Sequence, residues 1–76
     1  MSLFVMIPKT EFHLAPRLYR AAELAAEGLS NREIAEAMNL SVNTIKQYIH
    51  ETNQLLGTHN RTQIAAWFWQ QKIGAA

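Results

Sequence analysis

Asn43, Lys46, Gln47, His50 and Gln54 bring two kinds of amide, one ammonium and one imidazole into twelve residues. They lie in the stretch Ser41 to Leu56, SVNTIKQYIHETNQLL. Taken as a helix, that stretch separates into two faces. Val42, Ile45, Ile49 and Leu56 fall at i, i+3, i+7 and i+14, an apolar stripe of helical period. The polar residues fall on the other side, a face read here as free of acids. Such groups donate to phosphates, or bond bidentately with the edges of bases. The chemistry is recognition by hydrogen bonds, not bond making. Ser30 and Ser41 precede helical runs and read as caps, not nucleophiles, and no Ser/His/acid set or glycine-rich phosphate loop accompanies them. His13, His50 and His59 share no helical spacing, and no Cys or Asp joins them, which argues against a metal site. An enzyme and a bound cofactor are not expected. The plain alternative for Lys46, Gln47 and His50 is a solvated helix face, so the flanking sequence has to decide.

The elements that would hold this helix are legible around it. Ser30-Asn31-Arg32-Glu33 matches the capping box S-x-x-E. It opens a short helix over 31–38, with Ile34, Ala35 and Met38 as its buried set. Asn39 suits the left-handed conformation of a tight turn, Leu40 is expected to plug that turn, and Ser41 caps the next helix. Two helices joined by about three residues have the spacing of a helix-turn-helix, with Ala35 where the scaffold helix meets the second helix closely. Upstream, Leu14-Ala15-Pro16 reads as a helix start with a poor cap at Ala15. That helix is expected to reach Glu27, with Gly28 as its left-handed C-cap and Leu18, Ala21, Ala22, Ala25 and Ala26 facing inward. Gly57 ends the 41–56 helix. Asn60 with Gln63 is a second box-like pair, opening a fourth helix from Arg61 to about Lys72 with Ile64, Ala65 and Phe68 on one side. Trp67 and Trp69, two residues apart, cannot both face one core. One is expected to cover the edge of the first helix and the other to be exposed.

The whole chain sets the bounds. Seventy-six residues allow one small all-α domain, whose marginal core invites a partner. The division expected is an N-terminal extension over 1–13 and a helical domain over 14–76. Leu3 to Ile7 could form a short strand or apolar flap; it is too short to span a bilayer and lacks the basic flank of a signal peptide. The plain reading of the extension is a tail packed on the domain, the sharper one a partner-binding or swapped arm. The absence of cysteine excludes a disulfide framework and fits a cytoplasmic protein. Net charge is only +1, so the placement of charge matters more than its sum. Of six acids, all glutamates, only Glu51 lies in the 41–56 stretch.

Three motifs, AEGLSNREIAEAM ending at Met38, LSVNTIKQY over 40–48 and NRTQ over 60–63, resemble the LuxR/GerE-type helix-turn-helix domain of bacterial transcription regulators. The resemblance covers about Leu14 to Ile73. It implies a four-helix domain that binds double-stranded DNA as a dimer, with the third helix in the major groove and the fourth as dimer contact. Position by position, it implies a phosphate contact for Thr44, a core place for Ile45, and a phosphate or base contact for Lys46. Gln47 and His50 match variable positions that tune sequence preference, and Asn43 is a further contact. Asn60 and Arg61 match the turn that caps helix four and touches the DNA backbone. Arg17, Arg20 and Arg32 read chiefly as solvated or ion-paired, with Arg32 the best phosphate contact among them. The chain departs from the family pattern at Ala15, Leu18, Tyr48 and Leu55, each replacing a polar or cationic group. The usual receiver or ligand-binding domain has no counterpart. Taken as complete, the chain would not be controlled by phosphorylation of its own receiver or by an acyl signal in its own regulatory domain.

Two functions follow as expectations. The first is a stand-alone, sequence-specific transcription regulator, a homodimer joined through helix four by Trp67, Trp69 and Ile73. The second is a small interaction protein that pairs with a larger regulator through Trp67, Trp69 and the apolar N-terminus, and blocks or redirects it. A region-4-like piece of a sigma factor shares the helix-turn-helix but would need polymerase contacts and more upstream sequence.

Overall fold

The computed structural model describes residues 14–74. The extension over 1–13, with its expected strand or flap, lies outside the described residues, as do 75 and 76. The described residues form four helices: α1 (Pro16–Ala26), α2 (Asn31–Met38), α3 (Val42–Leu56) and α4 (Arg61–Gly74). None is long and apolar enough to cross a membrane.

Local chemistry sets the helix ends. Pro16 opens α1, and Ala15 supplies no side-chain cap. The helix stops one residue short of the sequence reading. Glu27 is the C-cap in αR geometry, and Gly28, at φ 97°, turns the chain. The Gly28 and Leu29 N–H groups then donate to the Ala25 and Leu24 carbonyls, so the last carbonyls of α1 are satisfied by the turn itself. The capping box on α2 is complete. Ser30 Oγ accepts from the Glu33 N–H at 3.1 Å, and Glu33 Oε1 accepts from the Ser30 N–H at 2.8 Å. Asn39 takes the left-handed conformation at φ 60°, and the Leu40 N–H donates to the Ala35 carbonyl. Only Asn39, Leu40 and Ser41 separate α2 from α3. Ser41 Oγ accepts from the Thr44 N–H at 3.1 Å, and Gly57, at φ 73°, closes α3. At α4 the second box is half formed. Asn60 Oδ1 accepts from the Gln63 N–H, but Gln63 Oε1 accepts from the His59 N–H, one residue earlier than a capping box requires.

α1 is the spine of the core, serving two clusters from adjacent faces. Ala21, Leu24 and Ala25 pack with Ile34, Ala35 and Ile45; Leu18 and Ala22 pack with Leu14 and Ile64. Tyr48 and Ile49 of α3 touch both clusters. The alanines let neighbouring helices approach closely. Leu24 joins the inner face while Ala26, expected there, is half-buried. Phe68 is buried against the Tyr19 ring at 5.2 Å and the Trp69 ring at 5.7 Å.

Two core expectations need correction, and one core residue is added. Leu40 does not plug its turn: its side chain stays 39% exposed, and the turn is held by its N–H instead. Val42 is exposed too, because it is the first residue of α3 and lies beyond the helix's packed middle. The inward stripe of α3 instead runs Ile45, Ile49, Thr52, Leu56. Thr52 is fully buried because its hydroxyl donates to the Tyr48 carbonyl at 2.7 Å, which removes the cost of desolvating it.

Candidate nucleic-acid interface

With Ile45 and Thr52 pinned inward, the opposite side of α3 faces solvent. Asn43, Lys46, Gln47, His50 and Gln54 are all exposed. Lys46, Gln47 and His50 line one shallow concavity, and Glu51 lines it with them. The face is therefore not free of acids. Glu51 follows Gln47 by one helical turn, a proximity that the division into apolar and polar stripes passed over. Thr44 is half-buried; its hydroxyl lies 2.9 Å from Ser41 Oγ, inside the cap of α3. The capping serine thus fixes the side chain at the start of the polar face as well as the helix end.

The arginines divide by role. Arg32 is exposed near the start of α2, with no hydrogen bond to another described residue. Arg20 pairs with Glu23 at 2.7 Å along α1. Arg17 lies over the Tyr48 ring, 5.7 Å from its centroid, so the tyrosine that departs from the family pattern is covered by a cation. Arg61 turns inward. Its Nη1 donates to Asn31 Oδ1 at 2.6 Å, and its Nη2 donates to the Leu29 carbonyl. It ties the start of α4 to the junction of α1 and α2. Sequence spacing could not show this, because the partners lie thirty residues upstream and meet only in the fold.

On α4 the two tryptophans separate. Trp67 is half-buried against the cluster of Leu14, Leu18, Ala22 and Ile64. Trp69 is 43% exposed, and its indole N–H reaches the Ala26 carbonyl at the end of α1, 3.3 Å away. Ile73 stands 72% exposed. Lys72 lies over the Phe68 ring, 5.5 Å from its centroid.

A short helix set close against a longer one through a three-residue turn, the longer one presenting amides and a lysine to solvent, defines a helix-turn-helix domain of the nucleic-acid-binding class. The sequence pattern of bacterial regulatory proteins of the luxR family matches residues 13–68. The two-component response regulator PprB of Pseudomonas aeruginosa is 40% identical over 52 residues, which are 68% of this chain and 19% of that protein. The chain belongs to the luxR family of bacterial regulatory proteins, and its four helices are that family's helix-turn-helix DNA-binding domain. It spans about a fifth of the length of this relative.

Proposed function

We propose that this domain binds double-stranded DNA sequence-specifically to regulate transcription, with α3 in the major groove and two copies joined through α4. The observation that carries this reading is the division of α3. Ile45 and Thr52 lock one side into the core, which leaves Lys46, Gln47 and His50 exposed together in one concavity. An α-helix fits the major groove, and these side chains supply a cation and hydrogen-bonding groups at base-edge reach. Gln47 is suited to bond adenine bidentately, while Lys46 and Arg32 would hold phosphates; Asn43 and Thr44 would flank them at the start of the helix. Arg61, with two nitrogens engaged inside the protein, serves as a brace for α4 more than as a phosphate contact. For the α4 contact, Trp69 and Ile73 are the outward groups, and Trp67 supports them from the core.

Selection from random oligonucleotides, followed by titration at several salt concentrations, tests the reading. Lys46→Ala is expected to weaken binding on every sequence and to reduce the slope of log K against log salt by about one. Gln47→Ala is expected to lose about 1–3 kcal/mol of discrimination at one base pair. If both variants bind the selected operator as the parent does, this face does not read DNA.

A further inference from the structure

Glu51 is the one carboxylate on the candidate reading face. It is exposed, lines the concavity with Lys46, Gln47 and His50, and takes no part in the one ion pair among the described residues, Arg20 with Glu23. We propose that Glu51 is a specificity-determining residue that selects cytosine at one position of each half-site. The proposal rests on the reading that α3 lies in the major groove.

The argument is one of donors and acceptors. An ionised carboxylate only accepts hydrogen bonds. Phosphates repel it, so Glu51 gains nothing from the DNA backbone and is stable in the groove only opposite a donor. The major-groove edges of guanine, N7 and O6, and the O4 of thymine, are acceptors. Either would leave the carboxylate desolvated against a like partial charge. Cytosine presents its N4 amino group, and adenine its N6 amino group beside the acceptor N7. A glutamine or asparagine answers both groups of adenine at once; a carboxylate answers the amino group and opposes N7. Cytosine is therefore the base that suits Glu51, with guanine and thymine the most strongly rejected. Gln47, one turn away, carries the amide suited to adenine, so the two neighbouring side chains make different demands on neighbouring base pairs. The same carboxylate lowers affinity for DNA in general, because it offsets part of the charge of Lys46.

The test uses the full chain and the variants Glu51→Gln, Glu51→Ala and Lys46→Ala. Glu51 is exposed and makes no hydrogen bond to a described side chain, so neither substitution should disturb the fold. Random-oligonucleotide selection on the parent should show cytosine at one column of each half-site. In both Glu51 variants that column should relax, with about a five- to tenfold loss of discrimination against guanine, while binding to unrelated DNA tightens. A Glu51→Gln motif with adenine in place of cytosine would support the assignment further. If Lys46→Ala weakens binding but the Glu51 variants select the parent's motif, with only a uniform gain in affinity, the proposal is overturned and the reading face stands. If Lys46→Ala leaves binding intact, or the parent selects no motif, the reading face fails and the proposal falls with it.

Discussion

The Arg61 guanidinium donates to the Asn31 side chain and the Leu29 carbonyl, and so joins three elements at one point. Hydrogen bonds from a charged donor contribute about 1.5–3 kcal/mol when both partners are lost from water. Arg61→Met keeps much of the side chain's bulk and removes both bonds. It is expected to lower the unfolding free energy by about 1.5–3 kcal/mol, seen as a lower denaturant midpoint with the m-value unchanged, and to leave the salt dependence of DNA binding as in the parent. A variant of parental stability whose salt slope falls by about one would instead make Arg61 a phosphate contact. The contrast with Lys46 shows which part of the site the sequence makes legible. Lys46, Gln47 and His50 are readable because helical period alone places them opposite Ile45. The inward turn of Arg61 is not, because it depends on a carbonyl and an amide brought in from another turn of the chain. Glu51 lies between these cases: its spacing from Gln47 is local, but its place on the reading face depends on which side of α3 the core takes.

The helices end where short-range chemistry tells them to. Ser30 with Glu33, Asn39, Ser41 and Gly57 act on neighbours within a few residues, so the element boundaries were readable to within about two residues. Faces were harder, because burial is decided between helices. Thr52 enters the core by bonding its own helix backbone, and Leu24 enters it by packing in the cluster with Ile34 of α2. The same distinction separates two substitutions on α2. Ser30→Ala removes a cap and is expected to cost about 1 kcal/mol of stability in thermal melts, with operator affinity retained, since the angle of α3 does not depend on it. Ala35 is 4% exposed beside Ile45, at the close approach of α2 and α3. Ala35→Leu has to push the helices apart. It is expected to cost about 1–3 kcal/mol and also to weaken operator binding, because the reading helix moves relative to its scaffold. Ala35→Leu with parental affinity would mean that the α2–α3 geometry does not govern DNA contact.

On the proposed reading, useful DNA binding by this domain is decided above the level of a single copy. Its formal charge is +1, and its proposed reading face sets Lys46 against Glu51, with Arg32 exposed on α2. Few phosphates can be neutralised by such a surface, so the salt-dependent part of affinity is small for one domain. Two domains held together convert the second docking event into an intramolecular one, which raises affinity by about 10²–10⁴ with no new contact to DNA. The proposed contact is the outward end of α4, because Trp69 and Ile73 are large apolar groups exposed there and tryptophan is a frequent interface anchor. Ile73→Glu is the sharper variant: the side chain is 72% exposed, so the fold has little reason to respond, whereas Trp69→Ala also loses the indole bond to Ala26. Sedimentation at the concentrations used for binding is expected to give a dimer for the parent and a monomer for Ile73→Glu. In the same buffer, operator affinity should fall by at least about a hundredfold, the lower end of the gain from linkage. Trp69→Ala should move both measurements in the same direction. A monomeric Ile73→Glu that held its operator as tightly as the parent would show that one copy of α3 suffices and that the dimer contributes nothing to binding.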